Sequence, residues 1–159
     1  MKRLHCEASA IIDATPEVVY GIISNYLDTE KGHPAILPPK NFKSLVIEEG
    51  GQGLGTVFSV TASMGGSEQK MRMRVNKTEP GRLLVETDLD RPLVTTFRSE
   101  PYEDGQRTRF TITTDWEAHA GLMGVFEALM APSIMRRVYN EELQNLNKLV
   151  STGIVINQR

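Results

Sequence analysis

The chain has 159 residues, of which 40% are hydrophobic and 24% charged, with a formal net charge of -2. These values suit one globular domain with its own core and argue against a general nucleic-acid binder. A single cysteine, Cys6, excludes an internal disulfide. No apolar run approaches the ~18 residues of a membrane-spanning helix, and no apolar segment follows Lys2 and Arg3, so neither a transmembrane helix nor a signal peptide is expected. A cytoplasmic protein is the expectation. It is read as one domain over residues 1–151, followed by a short frayed tail at 152–159.

The chain opens on a strand. Leu4, Cys6, Ala8, Ala10 and Ile12 alternate with His5, Glu7, Ser9 and Ile11, a period of two with small residues on the inner face. Thr15 is a good N-cap, Pro16 fits the first helical position, and Glu17 complements the positive helix start. Val18, Val19, Ile22 and Ile23 form the stripe this helix would bury. Between Asn25 and Lys40, Pro34, Pro38 and Pro39 leave room for at most a short second helix.

Strands follow. Phe42 to Glu49 is the first, and Gly50, Gly51, Gly53 and Gly55 mark the turn after it. Thr56 to Ser63 sets Phe58, Val60 and Ala62 against Val57, Ser59 and Thr61. Gly65-Gly66 turns into Glu68 to Thr78, where Met71, Met73 and Val75 alternate with Lys70, Arg72 and Arg74. Turns at Glu79-Pro80-Gly81, Asp90-Arg91-Pro92 and Glu103-Asp104-Gly105 separate three more strands, Arg82 to Leu89, Leu93 to Glu100 and Thr108 to Glu117. In the last, Phe110, Ile112, Thr114 and Trp116 share a face. The closing helix runs from about Gly121 to Ser151, with apolar residues at helical spacing. Pro132 is expected to kink or restart it, leaving Ala118 to Ala131 mobile and Ser133 to Ser151 anchored.

At this point the chain resembles the START and polyketide cyclase/dehydrase superfamily, whose helix-grip fold is ordered strand, two helices, six strands, long C-terminal helix. The resemblance rests on the strand-to-helix entry IIDATPEVVYGIISN (Ile11 to Asn25) and the Gly-rich hairpin GGQGLGTVFSV (Gly50 to Val60). It rests also on the segments TEPGRLL (Thr78 to Leu84) and FRSEPYEDGQRTRFTIT (Phe97 to Thr113). These are turn and packing signatures spanning about residues 4 to 151, and none is catalytic. The resemblance implies an α+β fold, a seven-stranded curved antiparallel sheet wrapped on a long C-terminal helix. It also implies a cavity between the two for a lipid, sterol, polyketide or hormone, with cyclisation or hydrolysis in some members.

Alternation then nominates a lining. From the strands come Phe58, Met73, Thr95, Phe97, Ile112 and Trp116, with Val75, Ser99, Phe110 and Thr114 on the same face. From the helix come Phe126 and Met130, and Ile134 behind them. Tyr26, His33 and Leu37 would rim the mouth. A mostly apolar pocket with a few hydroxyls and one indole N–H is the usual make-up of a small-molecule site; the same residues would equally fill an ordinary core. Methionines suit an adaptable pocket or simple gap-filling.

The charge pattern reads as a solvated face. Lys70, Arg72 and Arg74 on one strand would pair with Glu86 and Asp88 on its neighbour, and Arg98 and Arg109 would lie on the same outer surface. A one-residue slip of register would instead turn Arg72, Arg74 and Arg98 into the cavity and make the ligand acidic.

Catalytic candidates are few and no catalytic residue is assigned. Of the three histidines, His5 lies on an outer face and His119 in a turn, and only His33 is placed for acid–base work. His5-Cys6-Glu7 splits across the strand and makes no metal site, and nucleotide and hydrolase signatures are missing. No metal or cofactor is expected. Two functions stay open: a carrier of a hydrophobic or amphipathic small molecule, or a cyclase/dehydrase-type enzyme using Tyr26, His33, Thr95 and Trp116. A third, a partner-binding module with a filled core, would expose an apolar patch. The expected partner is a hydrophobic small molecule, with no nucleic acid and no integral membrane association.

Overall fold

The computed structural model of the protein describes residues 2–157, with side chains through Thr152 except that of Phe126. Strand β1 (Arg3–Ile12) buries Leu4, Cys6, Ala8 and Ile12 and exposes His5, Glu7 and Ser9. Helix α1 (Pro16–Ile23) starts as its sequence dictates: the Thr15 hydroxyl oxygen accepts the Val18 N–H at 3.4 Å, and Pro16 opens the first turn. Val19 and Ile23, four residues apart, are its buried pair, whereas Val18 faces solvent. The expected second helix is a single 3-10 turn, His33–Ile36, bounded by the prolines that forbid a longer one.

Six strands follow: β2 (Phe42–Glu49), β3 (Val57–Met64), β4 (Ser67–Glu79), β5 (Leu83–Asp88), β6 (Leu93–Tyr102) and β7 (Arg107–Glu117). With β1 they form one antiparallel seven-stranded sheet in the order β1-β7-β6-β5-β4-β3-β2. Neighbours in sequence thus pair through short hairpins, and only β1 crosses over to join β7. This α+β arrangement, a curved sheet against a long C-terminal helix, is the helix-grip architecture.

One irregularity in β4 brings its inner face into step with that of β5. Thr78 faces Leu84 and Lys77 faces Val85, but Val75 faces Glu86 and Met73 faces Asp88, so Asn76 is an extra residue. Without it, Val75 would oppose Thr87, and the inner faces of β4 and β5 would fall out of step. The bulge shifts the pairing by one, and a shift of one exchanges faces. On β5, Glu86 and Asp88 share the face of Leu84, which meets Phe97 of β6 as Glu86 meets Thr95, so both acids are buried, which corrects their assignment to the solvated face. The arginines do lie outside: Arg74, Arg98 and Arg109 are exposed, and Arg72 holds Glu48 of β2 through two bonds of 3.1 Å.

Helix α2 (Leu122–Asn157) is 36 residues long and passes through Pro132 without interruption. The sequence predicts a kink or restart there and an end near Ser151; the helix does not restart and continues to Asn157, and residues 158–159 of the predicted tail lie outside the described residues. An interior proline costs about 3 kcal/mol. Behind it, Met135, Val138, Tyr139, Leu143, Leu146 and Val150 are buried against β1 and the 3-10 turn. At roughly 1.5–3 kcal/mol for each fully buried large side chain, that packing outweighs the proline. The front half differs: Leu122, Met123, Val125 and Leu129 are exposed. No helix among the described residues is long and apolar enough to cross a membrane.

The link from α1 to β2 is pinned at its start. The Tyr26 N–H donates to the Gly51 carbonyl at 2.8 Å, and the Gly53 N–H donates to Ser24 at 2.8 Å. Gly51, at φ 136°, has no room for a side chain, because a Cβ there would lie 2.4 Å from Leu27. Gly32 is tighter still: a Cβ would fall 2.3 Å from the Asn25 carbonyl oxygen and 2.7 Å from that of Asp28. Both obstacles are backbone, so the 3-10 turn carrying His33 must move to accept one. Gly32→Ala is expected to lower unfolding free energy by about 1–3 kcal/mol. Gly21→Ala, on an open helical face with nothing within 4 Å, should raise it by roughly 0.5–1 kcal/mol. Urea titration of both variants checks the opposite signs.

Candidate functional site

Between the concave face of the sheet, the 3-10 turn and α2 lies a cavity of about 750 Å³, within the range of small-molecule sites. Eight of the ten residues nominated from sequence line it: Phe58, Met73, Thr95, Phe97 and Trp116 from strands, Met130 from α2, and Tyr26 and His33 from the connecting loop. Ile112 is not among the lining residues; it is fully buried in the core, level with Ala8 and Phe97 on the flanking strands. The side chain of Phe126 lies outside the described residues.

Two placements differ from expectation. Tyr26 and His33 are buried rather than at the rim. Their rings stack at 4.6 Å, Tyr26 stacks on Phe58 at 5.0 Å, and His33 meets Phe97 edge-on at 5.1 Å. This aromatic cluster forms one wall of the hollow. The Trp116 indole N–H, counted among the polar groups of the lining, donates to Glu127 of α2 at 2.9 Å. Glu127 also takes the His119 backbone N–H at 3.0 Å and pairs with its ring at 2.8 Å, tying the front of the helix to the end of β7.

The polar groups inside fall into two sets. Thr95, Thr114 and Tyr139 form a hydroxyl chain across β6, β7 and α2, with links of 2.8 and 2.5 Å. The second set is acidic. The Tyr26 hydroxyl donates to Glu86, and Glu142 lies on the same face of α2 as Tyr139, three residues before it, and Leu146, four after. Glu86 is 6% exposed and Glu142 3% exposed. Both line the cavity, and the Glu142 Oε2 has no hydrogen-bond partner among the described residues.

Burial governs how these groups titrate. It pushes the Glu86 carboxyl up to about 7, against the opposing effect of the Tyr26 hydrogen bond. Glu142 is raised well above the ordinary carboxyl range by burial, then by the nearby Glu86 charge. Burial lowers His33 to about 4, although its Nδ1 bonds the Ile23 carbonyl at 2.7 Å. Because a carbonyl only accepts, the Nδ1 must carry the proton, and at neutral pH Nε2 holds a lone pair. The site can therefore offer, at one end of an apolar hollow, a neutral base, a phenol and two carboxyls that share charge reluctantly.

Sequence comparison matches residues 3–151 to the family model described as polyketide cyclase / dehydrase and lipid transport. No curated protein matches the sequence significantly. Among solved structures, the KanY protein is 28% identical, with 95% of this chain and 99% of that one aligned at a TM-score of 0.79. The Zhui aromatase/cyclase from Streptomyces sp. R1128 has the same fold at 19% identity, covering 92% and 93% of the two chains with a TM-score of 0.74. So does TTHA0849 from Thermus thermophilus, at 19% identity over 94% and 98% with a TM-score of 0.74.

The buried acids set the pH dependence of stability. Glu86 keeps its proton to about 7 when folded against 4.5 ordinarily, so between those values only the folded chain binds it and stability falls as pH rises. His33 acts in the opposite sense: its value of about 4 against 6.5 makes stability rise with pH between those limits. The two largely offset until His33 is exhausted, and Glu142, raised by burial and by the Glu86 charge, adds to the decline. Glu142→Gln should therefore raise Tm at about pH 8 by roughly 2–8 °C. That gain should vanish near pH 4, where the native carboxyl is also neutral. Thermal unfolding across pH measures it.

Proposed function

The chain belongs to the polyketide cyclase / dehydrase and lipid transport family, and from that membership and its cavity we propose that it binds one amphipathic small molecule between sheet and α2. The carrying observation is the hollow itself: about 750 Å³, apolar along most of its wall, with polar groups confined to a few positions. Phe58, Met73, Phe97 and Met130 would supply apolar contact, and Thr95, Tyr26 and His33 would orient polar atoms. Such a ligand would have an extended or polycyclic apolar body, of lipid, polyketide or aromatic type. One binding unit over residues 1–151, acting in the cytoplasm, completes this reading.

A cyclase/dehydrase-type activity in the same cavity is the second reading, favoured by one observation. Glu86 changes protonation near 7, bonds the Tyr26 phenol, and Tyr26 stacks on His33. Removal of a proton beside a carbonyl and delivery of one to a leaving hydroxyl need this set: a base, an acid and a phenol held together out of water. Tyr26→Phe would then remove turnover while leaving ligand bound, whereas a carrier would lose only some affinity.

Native mass spectrometry of gently purified protein, followed by denaturing extraction, tests the binding reading directly. A stoichiometric organic adduct is expected. Met73→Trp places an indole in the hollow and should reduce adduct occupancy by about tenfold or more, in line with a misfit of 1–3 kcal/mol. Unchanged occupancy in this variant would place the ligand elsewhere.

A further inference from the structure

Four glutamates line the cavity, Glu86, Glu117, Glu127 and Glu142, against one arginine, Arg91. The Arg91 Nη2 is directed to the Lys70 carbonyl oxygen at 3.1 Å, and Glu127 is occupied by Trp116 and His119. Glu117, at the end of β7, is only half-buried, which leaves Glu86 and Glu142 as the buried pair, from β5 and α2. Buried carboxyls ordinarily sit against a cation or a full set of donors. Here the described donor is the Tyr26 hydroxyl, to Glu86, and Glu142 Oε2 is left without one. The charged and titratable groups around the pair are Tyr26 and His33 from the loop, Asp88 next along the inner face of β5, and Tyr139 on α2. Arg91, Glu117, His119 and Glu127 complete the lining. His33 is neutral near pH 7 and its Nδ1 proton is committed to Ile23.

We propose that the Glu86–Glu142 pair is a recognition site for the ammonium group of an amphipathic amine whose apolar body fills the rest of the cavity. The proposal rests on the binding function above and narrows its ligand to a hydrophobic cation. An ammonium carries three donors and one positive charge. Placed in the hollow that both carboxyls line, it would take up the unpartnered oxygen and offset the repulsion between two acids. An anionic ligand would meet the same pair at a penalty. A neutral alcohol would gain the apolar contact alone.

Calorimetric titration of the intact protein with decylamine, decan-1-ol and decanoate separates these cases, because the three share one apolar chain. The amine is expected to bind about 10–100-fold more tightly than the alcohol near pH 8, the range of a charge-assisted bond, and decanoate most weakly. Amine affinity should rise with pH as Glu86 ionises, since an alkylamine stays protonated to about pH 10, and binding should release protons to the buffer. Glu86→Gln with Glu142→Gln should bring amine and alcohol to similar affinity, with the alcohol little changed. The wild-type pH profile and proton release stand even if that variant folds poorly. Equal binding of amine and alcohol, or tighter binding of decanoate, overturns the amine site while leaving the hydrophobic cavity in place. An amine affinity that falls as pH rises overturns it too, marking the pair as neutral donors. Failure of all three ligands to bind overturns the cavity reading along with it.

Discussion

The close seating of α2 on β1 is the contact from which the rest of the architecture follows. Cys6 and Ala8 are small, and their side chains face the helix from a strand that lies at one edge of the sheet. The Cys6 thiol reaches the Pro132 carbonyl at 3.4 Å. A helix held along one edge cannot also cover the middle of a curved sheet. β4, β5 and β6 therefore present their concave face to a hollow, and α2 closes it from the side. The 3-10 turn fills the remaining gap, tied to α2 where Asn145 donates to the Ile36 carbonyl at 3.0 Å.

A hollow of this kind sets the terms for every polar group in it. In an ordinary core Glu86 and Glu142 would be replaced by apolar residues at little cost or with gain, because burying a carboxyl without partners costs several kcal/mol when charged. The chain keeps two of them within mutual influence and leaves one oxygen unpartnered. Stability is thus lowered at the place where the cavity is least apolar. Strain and unsatisfied polarity gathered in one cleft are a mark of ligand chemistry rather than of folding. The hydroxyl chain of Thr95, Thr114 and Tyr139 differs, because it satisfies itself internally and stiffens the wall without asking for a ligand.

Much of this fold is legible in the residues. The alternation of β1, β4 and β7, the Thr15-Pro16 helix start and the glycine-marked hairpins each specify local structure, and they agree on one topology. The site is less legible, for reasons that can be named. Leu83, Val85 and Leu89 make the wrong face of β5 look apolar, whereas the inner face is set by pairing with β6 and is matched in β4 only through the extra residue Asn76. No pattern within β5 reports a bulge in β4. Glu142 hides beside Glu141, which is half-buried and pairs with Lys40 at 2.7 Å; only its spacing from Tyr139 and Leu146 marks it as inward. Pro132 suggests a restart that does not occur, because local propensity there yields to packing that lies further along the helix. Tyr26 and His33 are recognised as special, but their depth depends on the ties from Ser24 and Tyr26 to Gly53 and Gly51.

The two halves of α2 divide the labour of the cavity. The rear half contributes Tyr139 and Glu142 on turns that are packed on β1 and the 3-10 turn, so these groups are held in place by the core. The front half contributes Met123 and Met130 to the lining while Leu122, Val125 and Leu129 face outward. Its polar attachment is concentrated on Glu127, through Trp116 and His119. Gly124 sits close beside the His119 carbonyl, where a Cβ would lie at 1.7 Å, so this attachment also requires a residue without a side chain. Recognition of a polar headgroup thus belongs to a rigid element. Enclosure of the apolar body belongs to one fastened by few bonds and lined by methionines that adapt to shape. A cavity built this way can be strict about charge and tolerant about carbon skeleton.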